Sequence, residues 1–191
     1  MSAAMNDRLP RPRVSVEEYY RMAEVGLLAP DARTELIEGE VIEMPGIGSP
    51  HASTVYRLHS RLAAALGDSA QVRVEQPVRL DDYSEPQPDL TVVLPREDSY
   101  WARHPGAADM LLAIEVSQSS LHQDRNSKIP LYARHRVPEV WLMDLEHYRI
   151  HFFRSLRDGT YTDVSFTDNP AAVALSALPG VTVDLSGLFP S

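Results

Sequence analysis

The stretch LLAIEVSQSSLHQDRNSKIPLY, residues Leu111 to Tyr132, decides how the rest of the chain is arranged. It opens with the apolar run 111–114, which is long enough for a strand that is buried on both faces. Glu115 interrupts this run, and a carboxylate in a dry position is costly unless another group pairs with it. The sequence therefore predicts a buried strand that carries a charged residue near its carboxyl end.

Lys128 lies near the end of this stretch and is the one lysine of the chain, since 17 of the 18 lysine and arginine residues are arginine. An arginine cannot give up its proton, is planar and is more weakly hydrated than an ammonium group. Two interpretations are open. Either a compact, titratable charge is needed at this position, or an arginine-biased composition has left one lysine by chance.

Length and composition indicate an ordinary globular protein. The 191 residues fit one domain. We expect a disordered tail rich in proline and arginine over residues 1–13 and a single domain over 14–191. The chain has no cysteine, which excludes a disulfide framework and thiolate chemistry.

Charge and hydropathy limit the cellular compartments and the binding partners that we expect for the protein. No apolar run approaches the roughly 18 residues of a membrane span, and the amino terminus lacks the apolar core of a signal peptide. We therefore expect a cytoplasmic protein with no membrane partner. The net charge of -9 argues against broad, sequence-independent binding of nucleic acid. A local basic groove or a metal-loaded acidic site remains compatible with it.

Periodicity predicts a mixed α/β fold around the central stretch. Ser15 and Glu18 form a capping box for a short helix that ends near Val25. The pattern then predicts a hairpin over 35–44, an amphipathic helix over 52–66, a half-buried strand over 72–80, buried strands over 90–94 and 139–144, and further strands over 147–154, 161–166 and 181–183. Pro130 is tolerable if a helix begins near Asn126 or Ser127; alternatively, Asp124 caps a helix that kinks.

Asp89 is the second acidic residue in a defined position. The prolines of Pro86-Gln-Pro-Asp89 make the approach to the strand at 90–94 stiff and extended. If that strand neighbours the one carrying Glu115, two carboxylates converge with Lys128 nearby. Two hard oxygen ligands plus water suit Mg²⁺, and a lysine beside them can orient a water or offset charge on a phosphate. The same three residues could equally form a buried structural ion pair with a spare acid.

The ordered motifs resemble those of a known family. They are Glu35-Leu-Ile-Glu-Gly-Glu40, His51, Pro88-Asp89, Ile114-Glu115-Val116-Ser117, Asp124-x-x-x-Lys128 with Tyr132, Glu139-Val-Trp-Leu-Met-Asp144 and Leu178-Pro-Gly-Val-Thr-Val-Asp184. Over about residues 15–189 the chain is similar to the Uma two family of restriction-type endonucleases, within the PD-(D/E)XK nuclease superfamily. The resemblance implies a restriction-endonuclease-like core, in which helices flank a central mixed β-sheet, and an active site of Asp89, Glu115 and Lys128.

The resemblance also implies roles for neighbouring residues. In the superfamily the lysine usually lies two positions after the glutamate, where this chain has Ser117; the family has it on the following helix, which matches Lys128. Glu38 and His51 match family positions near the site and are secondary candidates with Ser117. From spacing alone, Glu38 is more simply an exposed turn carboxylate, and His51 a surface residue in a first helical turn.

Two functions follow as hypotheses. The first is a Mg²⁺- or Mn²⁺-dependent endonuclease acting on DNA or another nucleic acid. Asp89 and Glu115 would hold the metal, with the Val116 carbonyl as a third ligand, and Lys128 would assist the attack on the phosphate. The second is a catalytically inactive module that binds nucleic acid or protein on the same fold. A homodimer is compatible with both.

Overall fold

A computed structural model describes residues 12–118 and 120–190 of the chain. Most of the predicted tail, residues 1–11, lies outside the described residues. Arg13 was assigned to this tail, but it has a fixed place: its Nε donates to the Glu38 carbonyl at 3.0 Å, and its guanidinium lies 4.1 Å from the centre of the Tyr83 ring. Arg13, at the end of the predicted tail, therefore packs against Glu38 and Tyr83.

Ten strands and four α-helices make up the regular structure of the described residues. The strands are β1 Thr34–Ile37, β2 Glu40–Glu43, β3 Gln71–Val74, β4 Leu90–Val93, β5 Met110–Ser117, β6 Val140–Asp144, β7 Arg149–Arg157, β8 Thr160–Thr167, β9 Ala172–Leu175 and β10 Leu178–Asp184. The helices are α1 Val16–Glu24, α2 Ser49–Leu66, α3 Leu121–Gln123 and α4 Ile129–Arg134, with a π-helical turn at Asp124–Lys128. Short 3₁₀ turns lie at Gly67–Ser69 and Ala107–Asp109.

A six-stranded mixed sheet in the order β3-β4-β5-β6-β7-β8 forms the centre of the molecule. β5 and β6 are parallel, and every other neighbouring pair in this sheet is antiparallel. β4 and β5 are neighbours, with Leu90 opposite Ile114. This confirms the predicted mixed sheet flanked by helices, and it brings together the strand ends that carry Asp89 and Glu115.

Each face of the sheet is covered by a separate apolar core. On one face, α2 packs its apolar stripe (Val55, Leu58, Leu62, Leu66) against alternate strand residues, joined by the β9–β10 hairpin. On the other face, residues of α4 and the ring of Tyr100 pack against Ala113, Val140 and Leu142. The central strands are thus buried on both sides, as their continuous apolar sequences indicate.

The structure corrects several predicted boundaries. The strand predicted over 72–80 ends at Val74, because Glu75 has a left-handed φ of 48° and Pro77 cannot donate to a ladder. The long helix begins at Ser49, three residues before the predicted start, since Pro50 is acceptable in a first turn. β9 was not predicted and pairs with β10.

Among the helices of the described residues, none is both long and apolar enough to cross a membrane.

Candidate active site

The antiparallel register of β4 and β5 places Asp89 beside Glu115. Asp89 immediately precedes β4, and its Oδ2 accepts a hydrogen bond from the Val116 N–H at 2.6 Å. Both carboxylates are buried, with 7% of Asp89 and 2% of Glu115 exposed. The rigid Pro-rich approach and the buried strand therefore place the two acids side by side at the ends of the neighbouring strands β4 and β5, as the sequence predicted.

Lys128 approaches these two acids from the π-helical turn Asp124–Lys128. Pro130 lies in the first turn of α4, where its missing N–H is not required. The wider π turn before it is a geometry that often marks functional sites. Pro130 thus lies in a first helical turn as expected, but the predicted starts are wrong: α4 begins at Ile129 and not near Asn126 or Ser127, and Asp124 opens the π-helical turn and is not the N-cap of a helix.

Three carboxylates surround the Lys128 ammonium group. Its Nζ lies 3.0 Å from Glu35 Oε2, 3.2 Å from Glu115 Oε2 and 3.9 Å from Asp124 Oδ1. All of these residues are buried. We call this arrangement the lysine cage. The three acids hold the ammonium in this position, because the attraction between opposite charges is stronger in a buried environment than in water.

Neighbouring hydroxyl groups complete the lysine cage. Tyr132 donates from its hydroxyl to Glu115 Oε1 at 2.6 Å. Ser120 donates to Asp124 Oδ2 at 2.6 Å, and the buried Ser117 donates to the same oxygen. Ser117 thus helps to orient Asp124, the acid that lies one turn before Lys128.

Burial and charge act against each other in the lysine cage. Burial raises the pKa of the Glu115 carboxyl well above its usual range, although Lys128 opposes the rise. Burial also lowers the pKa of Lys128, but the carboxylates of Glu115, Glu35 and Asp124 more than offset this, so the Lys128 pKa is raised. The ammonium therefore stays protonated, and negative charge in the cluster is in excess.

A second group of ligand atoms converges on the other oxygen of Asp89. His51 Nε2 lies 2.9 Å from Asp89 Oδ1, and one ligand atom each from His51, Glu75 and Asp89 all lie within 4.8 Å of one another. The hydrogen bond with Asp89 raises the His51 pKa, although burial opposes the rise. An imidazole and two carboxylates in this arrangement are a donor set suited to a divalent metal.

Lys128 and the three acids around it line a cleft of about 170 Å³ together with His51 and Asp89, whereas Glu75 lines the adjoining depression. The acidic and basic members of the cleft include Glu35, His51, Asp89, Glu115, Asp124 and Lys128. Four of them are buried carboxylates, whereas one is a buried ammonium group. The cleft thus carries uncompensated negative charge, which a bound divalent cation or bound protons would relieve.

The structure brings most predicted site residues together and separates one from them. Asp89, Glu115, Val116, Lys128 and His51 all line the cleft. The Glu38 side chain is instead 57% exposed and pairs with Arg134 at 2.8 Å, at the turn of the β1–β2 hairpin. The simpler interpretation of Glu38, an exposed turn carboxylate, is the one that matches its position.

Sequence reasoning missed Glu35 and Glu75 as site residues. Glu35 lies within the apolar strand β1 and is 3% exposed. Glu35 could have been recognised from the sequence, because it is a carboxylate within an apolar strand, as Glu115 is. No local pattern could identify Glu75, since its position depends on the irregular end of β3 and on its backbone hydrogen bond to the Asp89 carbonyl.

Comparison with known proteins identifies a family and a similar fold. A family model named Uma2, described as "Putative restriction endonuclease", matches residues 16–186. A crystal structure from Anabaena variabilis, described as "a putative nuclease belonging to DUF820", superposes with a TM-score of 0.68 at 20% sequence identity. The match covers 92% of this chain and 97% of that chain. Among curated proteins, none matches the sequence.

Proposed function

Since the chain belongs to the Uma2 family, we propose that it is a nuclease that hydrolyses DNA phosphodiester bonds with the help of a divalent metal ion. The observation that carries the proposal is the position of Lys128. Its ammonium is held between Glu35 and Glu115 in the cleft that Asp89 lines. A structural ion pair would need one acid for this lysine, whereas the cleft supplies several more.

The residues present fit a divalent cation, with Asp89 as the central ligand. On one side of Asp89 lie His51 and Glu75, which complete a group of three convergent ligands. On the other side lies Glu115, whose oxygens already accept from Tyr132 and Lys128 but retain further lone pairs. When bound, Mg²⁺ or Mn²⁺ would polarise the phosphate and lower the pKa of a water ligand. Oxygen ligands favour Mg²⁺, and the imidazole of His51 makes Mn²⁺ equally suitable.

The residues of the chain have distinct proposed roles around the phosphate. Lys128 offsets the negative charge that develops on the phosphoryl oxygens, or positions the attacking water. Glu35 and Asp124 hold the lysine in place, and Tyr132 fixes the orientation of Glu115. Because the ammonium is already fixed before the substrate binds, little reorganisation is needed at the moment of reaction.

Cleavage of supercoiled plasmid DNA tests this proposal. Wild-type protein is incubated with Mg²⁺, with Mn²⁺ and with EDTA, and nicked and linear products are followed on gels. We expect products with either metal and none with EDTA. The variant Lys128→Ala, purified in the same way, controls for a contaminating nuclease, because it should lose the activity.

A negative result would favour the second hypothesis. If no cleavage occurs with any divalent metal on DNA or RNA, while nucleic acid or a protein still binds, the fold serves as a binding module. If cleavage persists unchanged in Lys128→Ala, the site has been placed wrongly.

A further inference from the structure

A shallow groove continues from the cleft along the free edge of the sheet. Ile47 lines both the cleft and the adjoining depression, which also includes Tyr56, His59 and Val74. His59 and Val74 in turn line a third depression that ends at Arg73 and Ser99. We call this continuous surface the edge groove; it follows β3, the outermost strand on that side of the sheet.

One exposed aromatic side chain lines this surface, and a second lies close to its far end. Tyr56 lines the edge groove from α2 and is 72% exposed; Trp101 does not line the groove, but it follows the groove residue Ser99 by two positions and is 93% exposed. Their placement beside a groove that leads to the cleft indicates a ligand with flat faces.

The loop that carries Trp101 is held in a fixed shape. Ser99 and Tyr100 have left-handed φ angles of 47° and 63°, which non-glycine residues adopt only where the surrounding structure imposes them. Tyr100 is buried and donates to the Leu94 carbonyl at 2.7 Å. Arg96 pairs with Asp98, and Arg103 pairs with Asp109, at each base of the loop. The indole is therefore presented by a preorganised support.

The charges along the edge groove are few. Glu75 lines the part nearest the cleft and Arg73 lines the far part, and the buried Nε of Arg73 has no hydrogen-bond partner among residues 12–118 and 120–190. Arg96 and Arg103 are already paired with acids, and the chain as a whole carries a net charge of -9. Recognition here would rest on stacking more than on phosphate contacts. A duplex hides the faces of its bases, whereas an unpaired strand exposes them.

We propose that the edge groove binds a single-stranded segment of nucleic acid, whose bases stack on Tyr56 and Trp101 and whose backbone leads into the cleft. This inference rests on the proposed function, and it specifies unpaired strands as the substrate class. A second copy pairing along β3 is the competing occupant. It is less well supported, because the strand is only four residues long and ends at the left-handed Glu75.

The binding test uses an oligothymidylate of about 16 nucleotides, its ribonucleotide counterpart and a duplex of equal length, all in EDTA. Binding is followed by fluorescence anisotropy of labelled oligonucleotides and by quenching of tryptophan emission. The chain has two tryptophans, and Trp141 is fully buried, so quenching reports on Trp101. We expect both single strands to bind more tightly than the duplex and to quench Trp101.

Matched variants locate the surface. Tyr56→Ala and Trp101→Ala should each weaken single-strand binding on the order of fivefold or more, as is usual when a stacking partner is removed. Phe166→Ala is the control, because Phe166 is 59% exposed on β8, at the opposite edge of the sheet. It should leave binding unchanged. Circular dichroism confirms that each variant is folded.

Three outcomes would overturn the inference: equal affinity for duplex and single strand, unchanged binding by both aromatic variants, or loss of self-association by Trp101→Ala in sedimentation with no change in oligonucleotide affinity. The test is separable from that of the proposed function. If single strands bind through stacking but no cleavage occurs, the proposed nuclease function is wrong and the proposed binding by the edge groove stands. If cleavage occurs and neither aromatic substitution changes it, the proposed binding by the edge groove is wrong and the nuclease function stands.

Discussion

Glu115 and Glu139 are buried carboxylates on neighbouring strands, but their surroundings differ. Glu139, which precedes β6, is fully buried and saturated by donors: Trp141 Nε1 and Arg154 Nε at 2.6 Å, and the Ser176 N–H at 2.8 Å. Glu115 shares one ammonium with two other acids and opens onto a cleft. A saturated acid fastens elements together, here β6, β7 and the β9–β10 hairpin. An acid in excess of its cations is available for chemistry.

The comparison predicts that the largest effect on stability comes from Glu139. Glu139→Gln should lower the free energy of unfolding by about 3 kcal/mol, because the fully buried carboxylate is lost as the acceptor of three donors and the half-buried Arg154 loses its charged partner. For a chain of this size that corresponds to about 6–12 °C in melting temperature. Thermal unfolding followed by circular dichroism measures it. Glu146→Gln is the control, since Glu146 is exposed and lies just beyond β6. Equal melting temperatures of the two variants would show that Glu139 does not stabilise the fold, although three hydrogen-bond donors surround it.

Lys128 should affect catalysis most strongly. Lys128→Ala is expected to slow single-turnover DNA cleavage by about 10²-fold, or about 2.7 kcal/mol in the barrier, because the charge on the phosphate is no longer offset. Lys128→Arg should not restore the rate, since a planar guanidinium does not fit the place of a point charge. Arg134→Ala, which removes an exposed cation, should cleave like the wild type. Full activity of Lys128→Arg would show that positive charge alone is sufficient.

Glu35 tests whether the lysine cage positions its ammonium. Glu35→Gln should reduce the single-turnover rate on the order of tenfold, about 1.4 kcal/mol, because Lys128 loses its nearest acid but keeps Glu115 and Asp124. Labelling with ¹⁵N-lysine gives a single side-chain signal, so nuclear magnetic resonance can report the same change without substrate. The signal should shift in Glu35→Gln and stay in place in Glu38→Gln, whose side chain is exposed on the same hairpin. If the rate and the lysine signal change equally in the two variants, Glu35 does not position Lys128.

The smallest expected effect distinguishes a metal site from a structural ion pair. Asp89→Asn removes one of several neighbouring negative charges, so we expect it to stabilise the metal-free protein by about 1 kcal/mol, or about 2–4 °C. Millimolar Mg²⁺ should stabilise the wild type, and the variant much less. Melting curves in EDTA and in Mg²⁺ measure both effects. A variant that melts well below the wild type in EDTA would show that Asp89 is a needed structural partner.

Local patterns predicted where Asp89 and Glu115 lie in the fold, and the composition singled out Lys128. The apolar run before Glu115, the prolines before Asp89 and the isolated Lys128 each identified a fixed position, and the order of the motifs identified the family. Sequence could not show that β1 delivers Glu35 to Lys128, because the two residues meet only through tertiary packing. The end of β3 was wrong for a related reason: alternation continues in the sequence past Val74, but the backbone turns at Glu75.

The burial of the single lysine has a practical consequence for measuring the dynamics of this protein. A lysine-specific endoprotease has one target in the chain, the bond between Lys128 and Ile129, and both residues are buried. Cleavage therefore requires the π-helical turn to open, and it yields the two fragments 1–128 and 129–191. When reclosing is faster than cutting, the rate of this one cut reports the free energy of opening. A ligand that fills the cleft should slow the cut in proportion to its occupancy.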